Sequence, residues 1–88
     1  ELEEIELVLR KYCKVNDAIV IPIKKGDITI STICFTSEDI NDTRKKKIKE
    51  VASYYLDNLF IPKQFKKITV FPKTISGKID RNKLIDSI

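Results

Sequence analysis

The chain has no histidine, no methionine and no tryptophan, and its 88 residues include only two glycines, two cysteines and three prolines. Each shortage closes off a class of function. Without histidine there is no Ser-His-Asp triad and no imidazole general base. Any chemistry must come from lysine, arginine, carboxylates or hydroxyls. Two cysteines with no histidine beside them cannot complete a Cys/His metal site, so no metal centre is expected. Cys13 and Cys34 are also too few and too unpatterned for a disulfide framework. Free thiols in a core suit a reducing compartment, so a cytoplasmic location is expected. No run of about 20 apolar residues occurs, which excludes a membrane-spanning helix. Scarce glycine also removes the obvious reading of Gly77-Lys78. A phosphate-cradling loop needs G-x-x-x-x-G-K-[ST], but Gly26 lies far upstream and Ile79 follows the lysine.

What is present suits one small folded domain. Apolar residues make up 42% and charged residues 34% of the chain, enough for a modest core under a highly charged surface. The net charge of +4 is a weak pull towards anionic partners, concentrated in residues 44–49 and 63–83. The acidic, amphipathic start does not resemble a targeting peptide. The missing initial methionine fits a segment of a longer protein.

Periodicity predicts the elements. Leu2, Ile5, Val8, Leu9 and Tyr12 form one face of a helix over residues 2–12, with glutamates in its first turn and bases at its end. Residues 18–23 read as a buried strand and residues 28–36 as its hairpin partner, joined through Gly26. Ile48, Val51, Ala52, Tyr55 and Leu59 predict a second helix from Thr43 to the approach of Pro62. Ile68–Phe71 reads as a third strand, and Asp80 as the cap of a last helix with Leu84, Ile85 and Ile88 inward. The tyrosines and phenylalanines at 12, 54, 55, 60, 65 and 71 are assigned mostly to core or near-core places. The order helix-strand-strand-helix-strand-helix implies an α+β domain: a small three-stranded, mainly antiparallel sheet covered by helices.

Two basic features remain. Arg44, Lys45, Lys46, Lys47 and Lys49 could contact nucleic acid, but no interleaved aromatics offer a stacking platform. They read better as a solvated helix face, and a nucleic-acid partner is not expected. Asp80 and Arg81 read as a helix cap with a local ion pair. Lys78 stands on a strand-to-helix loop, where functional groups concentrate, and Gly77 beside it leaves room for a ligand. By its residues alone it is either a functional group or one more solvated lysine.

"FPKTISGKIDRNKL", residues 71–84, resembles the last motif of the adenylate-forming enzymes, which include acyl-CoA synthetases, amino-acid adenylation domains and luciferases. That motif reads P-x-T-x-x-G-K-[IVL]-[DM]-R-x-x-L, and each fixed position is met. "ELEEIELVLRKY" is similar to the segment after the family's hinge, and "LDNLFIPKQFKKI" to its Ile/Val-Pro stretch. The resemblance implies that residues 1–88 form a single domain, the mobile C-terminal lid, with the nucleotide-binding N-terminal domain and the hinge outside the chain. It implies an ATP- and Mg2+-dependent ligase that joins an acid to AMP and then passes the acyl group to a thiol. It assigns Lys78 to catalysis of the first step, and Lys78 and Gly77 to contact with the nucleotide. The thiol would be phosphopantetheine on a carrier protein, or CoA. "IVIPIKKG" and "FIPKQF" look most like D-alanine–carrier protein ligases, whereas Ser76 and "PKT" are worded more like acyl-CoA synthetases. The alternative of another class is a basic RNA- or anion-binding module. On the lid reading, the 88 residues alone are expected to be inactive.

Overall fold

In the computed structural model, residues 2–88 are described, apart from the side chains of Lys25, Thr29 and Ile30. The elements are helix α1 (Leu2–Lys11), strands β1 (Ile19–Lys25) and β2 (Ile28–Thr36), helix α2 (Asp42–Ala52), a 3₁₀ turn (Asn58–Phe60), strand β3 (Gln64–Lys67) and helix α3 (Arg81–Asp86). The expected element order and α+β class are both found. No helix among the described residues is long and apolar enough to cross a membrane.

The sheet is mixed. Its order is β1-β2-β3, with β1 antiparallel and β3 parallel to β2. Gly26 takes φ +65° in the β1–β2 turn, a left-handed conformation that suits glycine. Successive strand residues point to opposite faces, and here both faces are covered. Val20 and Cys34 join Ile5, Val8, Leu9, Ile48, Ala52 and Ile61 in a core beneath α1 and α2. Ile21, Ile33 and Phe35 join Leu84 of α3 on the other side, flanked by Ile68, Phe71 and Ile79. That is why β1 and the end of β2 read as near-continuous apolar runs.

Four expectations need correction. Helix α2 stops at Ala52, well short of Leu59. Ser53 caps its end, and Asp57 starts a separate 3₁₀ turn by accepting the Leu59 N–H, leaving Leu59 73% exposed. The third strand lies at Gln64–Lys67 rather than Ile68–Phe71. The ladder ends where β2 does: the Ile68 N–H takes the carbonyl of Thr36, the last residue of β2, at 2.8 Å. Ile68 and Phe71 still pack inward, but without strand pairing. In α3 only Leu84 is buried, because the helix has just six residues, and Ile85 and Ile88 are exposed. Last, Tyr12, Tyr54, Tyr55 and Phe60 are surface residues, Tyr12 stacking on Tyr55 at 3.9 Å. Among the described residues the fully buried aromatic is Phe35.

Candidate functional site: a braced lysine hairpin

Residues 73–79 form a small hairpin standing off the sheet. Its legs meet in an antiparallel bridge between Lys73 and Ile79. The Thr74 N–H donates to the Lys78 carbonyl at 2.7 Å, and the Gly77 N–H donates to the Thr74 carbonyl at 2.9 Å. Gly77 has φ +86°. This is a four-residue turn, residues 74–77, whose last residue is left-handed, a hairpin closure that glycine makes without steric cost. A Cβ on Gly77 would touch nothing within 4 Å. Within this chain the glycine therefore serves the backbone angle rather than a close approach.

Side chains stiffen the turn. The Thr74 hydroxyl lies 3.0 Å from that of Ser76 and accepts the Lys78 N–H at 3.3 Å. At the root, the Asp80 N–H donates to the Pro72 carbonyl at 2.8 Å. Asp80 then caps α3, its carboxylate accepting the Lys83 N–H at 3.2 Å. The expected cap is found.

Lys78 is exposed on this hairpin, and its ammonium makes no hydrogen bond or ion pair among the described residues. Lys73, on the opposite leg, borders a groove with Arg10, Ile19, Val70 and Phe71. The sequence-derived pair Gly77 and Lys78 is thus presented at the surface: a cation on a short stem whose backbone is fixed and whose charge is uncommitted.

Arg81 departs from its expected local pairing. Its guanidinium instead reaches Glu6 of α1 at 3.1 and 3.3 Å, and the Val20 carbonyl of β1 at 3.1 Å. Glu6, 4% exposed, also accepts the Val20 N–H at 2.8 Å. Sequence reasoning missed this network. Its one available signal was an acid, Glu6, placed between Leu2, Ile5 and Leu9 on the apolar side of α1.

The basic helix divides. The Arg44 side chain is 32% exposed and bonds Glu38 at 3.0 Å and the Lys14 carbonyl at 3.0 Å. It closes the end of α1, where Lys14 takes φ +59°. Arg44 is structural rather than part of an outward face. Lys47 pairs with Glu50 at 3.4 Å in the open, a contact worth little. Cys13 and Cys34 are buried free thiols, and burial pushes both up, Cys34 to about 12. Neither is a nucleophile at neutral pH.

No family model matches the chain. Individual relatives do. A D-alanine–D-alanyl carrier protein ligase of Staphylococcus aureus is 37% identical over 92 aligned positions, covering 100% of this chain and 19% of the relative. The chain thus spans about a fifth of the length of the curated relatives it matches. Among solved structures, an amide bond synthetase from Marinactinospora thermotolerans superposes with TM-score 0.77 at 20% identity, over 99% of this chain and 18% of its own. A Mycobacterium tuberculosis fatty acyl CoA synthetase gives 0.74 at 23%, over 96% and 17%. A benzoate CoA ligase from Burkholderia xenovorans gives 0.74 at 25%, over 94% and 18%. The structural likenesses speak to fold, and the sequence likeness runs along the whole chain. Along its whole length, then, the chain is similar in sequence to a part of a carrier protein ligase, and in fold to a part of adenylate-forming ligases.

Proposed function

We propose that residues 1–88 are the C-terminal lid of an ATP-dependent acid–thiol ligase, and that Lys78 supplies the positive charge for its first step. One observation carries this reading: Lys78 is exposed and, among the described residues, unpaired, on a hairpin whose legs, turn and root each carry a backbone hydrogen bond. The step needs such a group. A carboxylate oxygen bonds to the α-phosphorus of ATP, and the bond to pyrophosphate breaks, releasing it. Two anions approach and charge builds on the phosphorus oxygens. A compact ammonium placed between them stabilises that charge. One preorganised donor of this kind is worth roughly 3–4 kcal/mol in a site closed to water. Lys78 becomes such a donor only when the lid closes on the rest of the enzyme.

In this proposal the rest of the nucleotide site lies outside these 88 residues. Among the described residues, no three His, Cys, Asp or Glu side chains gather where they could hold a cation. The Mg2+ that accompanies ATP, the adenine pocket and the acid pocket therefore belong to the N-terminal domain in this proposal, as does the closure partner of Lys78. Gly77 contributes the turn.

D-alanine is the proposed acid, and phosphopantetheine on a carrier protein the proposed acceptor. Supporting this is the 37% identity to a D-alanine–carrier ligase along the whole chain, against 20–25% for the amide synthetase and CoA ligases named above. The test is D-alanine-dependent pyrophosphate exchange by the full-length parent, followed by loading of a phosphopantetheinyl carrier. The 88 residues alone should show no exchange. Exchange by the 88 residues alone would sink the lid reading. Efficient transfer to free CoA with no carrier loading would overturn the acceptor.

A further inference from the structure

We propose that Arg81, locked by Glu6, is the positioning residue of the lysine hairpin. This rests on the role of Lys78 argued above. Strand β1 is an edge of the sheet, and an edge residue presents an unpaired N–H and carbonyl. At Val20 both are taken by side chains. Its N–H donates to a Glu6 oxygen at 2.8 Å, and its carbonyl accepts from Arg81 at 3.1 Å. Arg81 closes the ring by donating to both Glu6 oxygens, at 3.1 and 3.3 Å. Glu6 and Arg81 together occupy the place of a neighbouring strand. Pro22, two residues on, has no N–H to offer.

This ring anchors one point of the chain, the first residue of α3. The hairpin ends immediately before it, with Ile79 bridged to Lys73 and the Asp80 N–H on the Pro72 carbonyl. Leu84 fixes the depth of α3 in the core, and the Ser87 carbonyl at its far end accepts from the exposed Lys66 ammonium at 2.7 Å, but neither holds the first residue of this six-residue helix. The fork of Arg81, tied to α1 and β1 at once, sets the tilt of α3 and hence where the Lys78 ammonium points. Misplacing a reacting group by about 1 Å can cost on the order of a hundredfold in rate. Only arginine makes the three bonds together, because its planar fork has donors on two nitrogens facing the same side.

The test uses Arg81→Lys in the full-length enzyme, with Glu6→Gln as a second variant. Arg81→Lys should lower kcat for adenylation about 10- to 100-fold. KM for ATP and acid should stay within about twofold, and acyl transfer from supplied acyl-adenylate should be unchanged. Placed on Lys78→Ala, it should cause no further loss, since a positioning residue has nothing left to position. Hydrogen exchange should rise about tenfold in a peptide covering 73–79 and stay constant across α2. Additive losses on Lys78→Ala, equal losses in both half-reactions, or unchanged exchange in 73–79 would each overturn the proposal. If Lys78→Ala leaves adenylation untouched, the role of Lys78 falls, and the exchange measurement decides alone whether Arg81 holds the hairpin. If Arg81→Lys unfolds the protein, the same measurements on Glu6→Gln decide it, because the one oxygen of glutamine still accepts the Val20 N–H while its amide nitrogen can no longer accept from Arg81.

Discussion

Arg44 and Glu38 meet at 3.0 Å across the connection from β2 to α2, and between them they fasten three segments. The other oxygen of Glu38 accepts the Asn16 N–H at 2.6 Å, while Arg44 reaches back to the Lys14 carbonyl at 3.0 Å. The Asn16 N–H bond above all holds the Glu38 carboxyl below its usual range, against the opposing effect of burial, and the Arg44 guanidinium adds to the lowering. A carboxylate depressed in the folded state adds stability that is complete above its unfolded value, about 4.3. That stability is lost as pH falls through the lower folded value. Urea midpoints should therefore be flat from about pH 7 to 5 and drop below about pH 4. Glu38→Gln should lower the plateau and shrink the drop. An unchanged acid limb in the variant would remove Glu38 from the account.

The basic run should separate by position. Changing Lys45, Lys46 and Lys47 together to glutamine should shift stability by no more than about 1 kcal/mol in total, as surface sites do. Arg44→Gln alone should cost about 1–2 kcal/mol, because it removes charge-assisted bonds to Glu38 and to the end of α1. RNA binding should be negligible in both proteins. Tight, salt-dependent RNA binding by the wild type that the triple variant loses would instead restore the nucleic-acid alternative.

The thiols should be silent. Burial first, and then the negative charge of Glu6, push Cys34 up to about 12. Alkylation of native protein at pH 8 should therefore proceed at the rate of unfolding and be complete at once in denaturant. Because the unfolded thiol titrates near 8.5, stability should fall as pH rises above that value towards 12. Rapid native labelling of Cys34 would show that its strand opens far more readily than its burial between α1 and α2 implies.

The core and most elements were legible because their signals are local. Ile5, Val8 and Leu9 repeat at helical spacing, and Gly26 marks the hairpin. Asp80 caps the helix from the place its residue type suggests. The failures came where a distant partner decides. Leu59 continues the periodicity of α2, yet Ser53 and Asp57 end the helix and start another turn. Ile68–Phe71 has the better strand composition, but the end of β2 leaves it nothing to pair with, so "QFKK" forms the strand. Arg81 was read beside its neighbour Asp80, whereas its partner Glu6 is 75 residues away. Gly77 and Lys78 were singled out through the motif, and their role is a proposal. The spacing alone could not show that the turn is fixed by Thr74 and that the ammonium is left unpaired.

The measurement that tests the central claim most directly compares the two half-reactions of the full-length enzyme carrying Lys78→Ala. Adenylation is followed by pyrophosphate release, and thiol transfer by loading from a supplied acyl-adenylate, after circular dichroism establishes that each variant is folded. Lys78→Ala should slow the first about a hundredfold or more, and Lys78→Arg should not restore it. The second should survive largely intact. Lys73→Ala, which removes the same charge from the opposite leg of the hairpin, should leave both near normal. Equal losses in the two lysine variants, or a Lys78→Ala enzyme crippled alike in both half-reactions, would contradict the account.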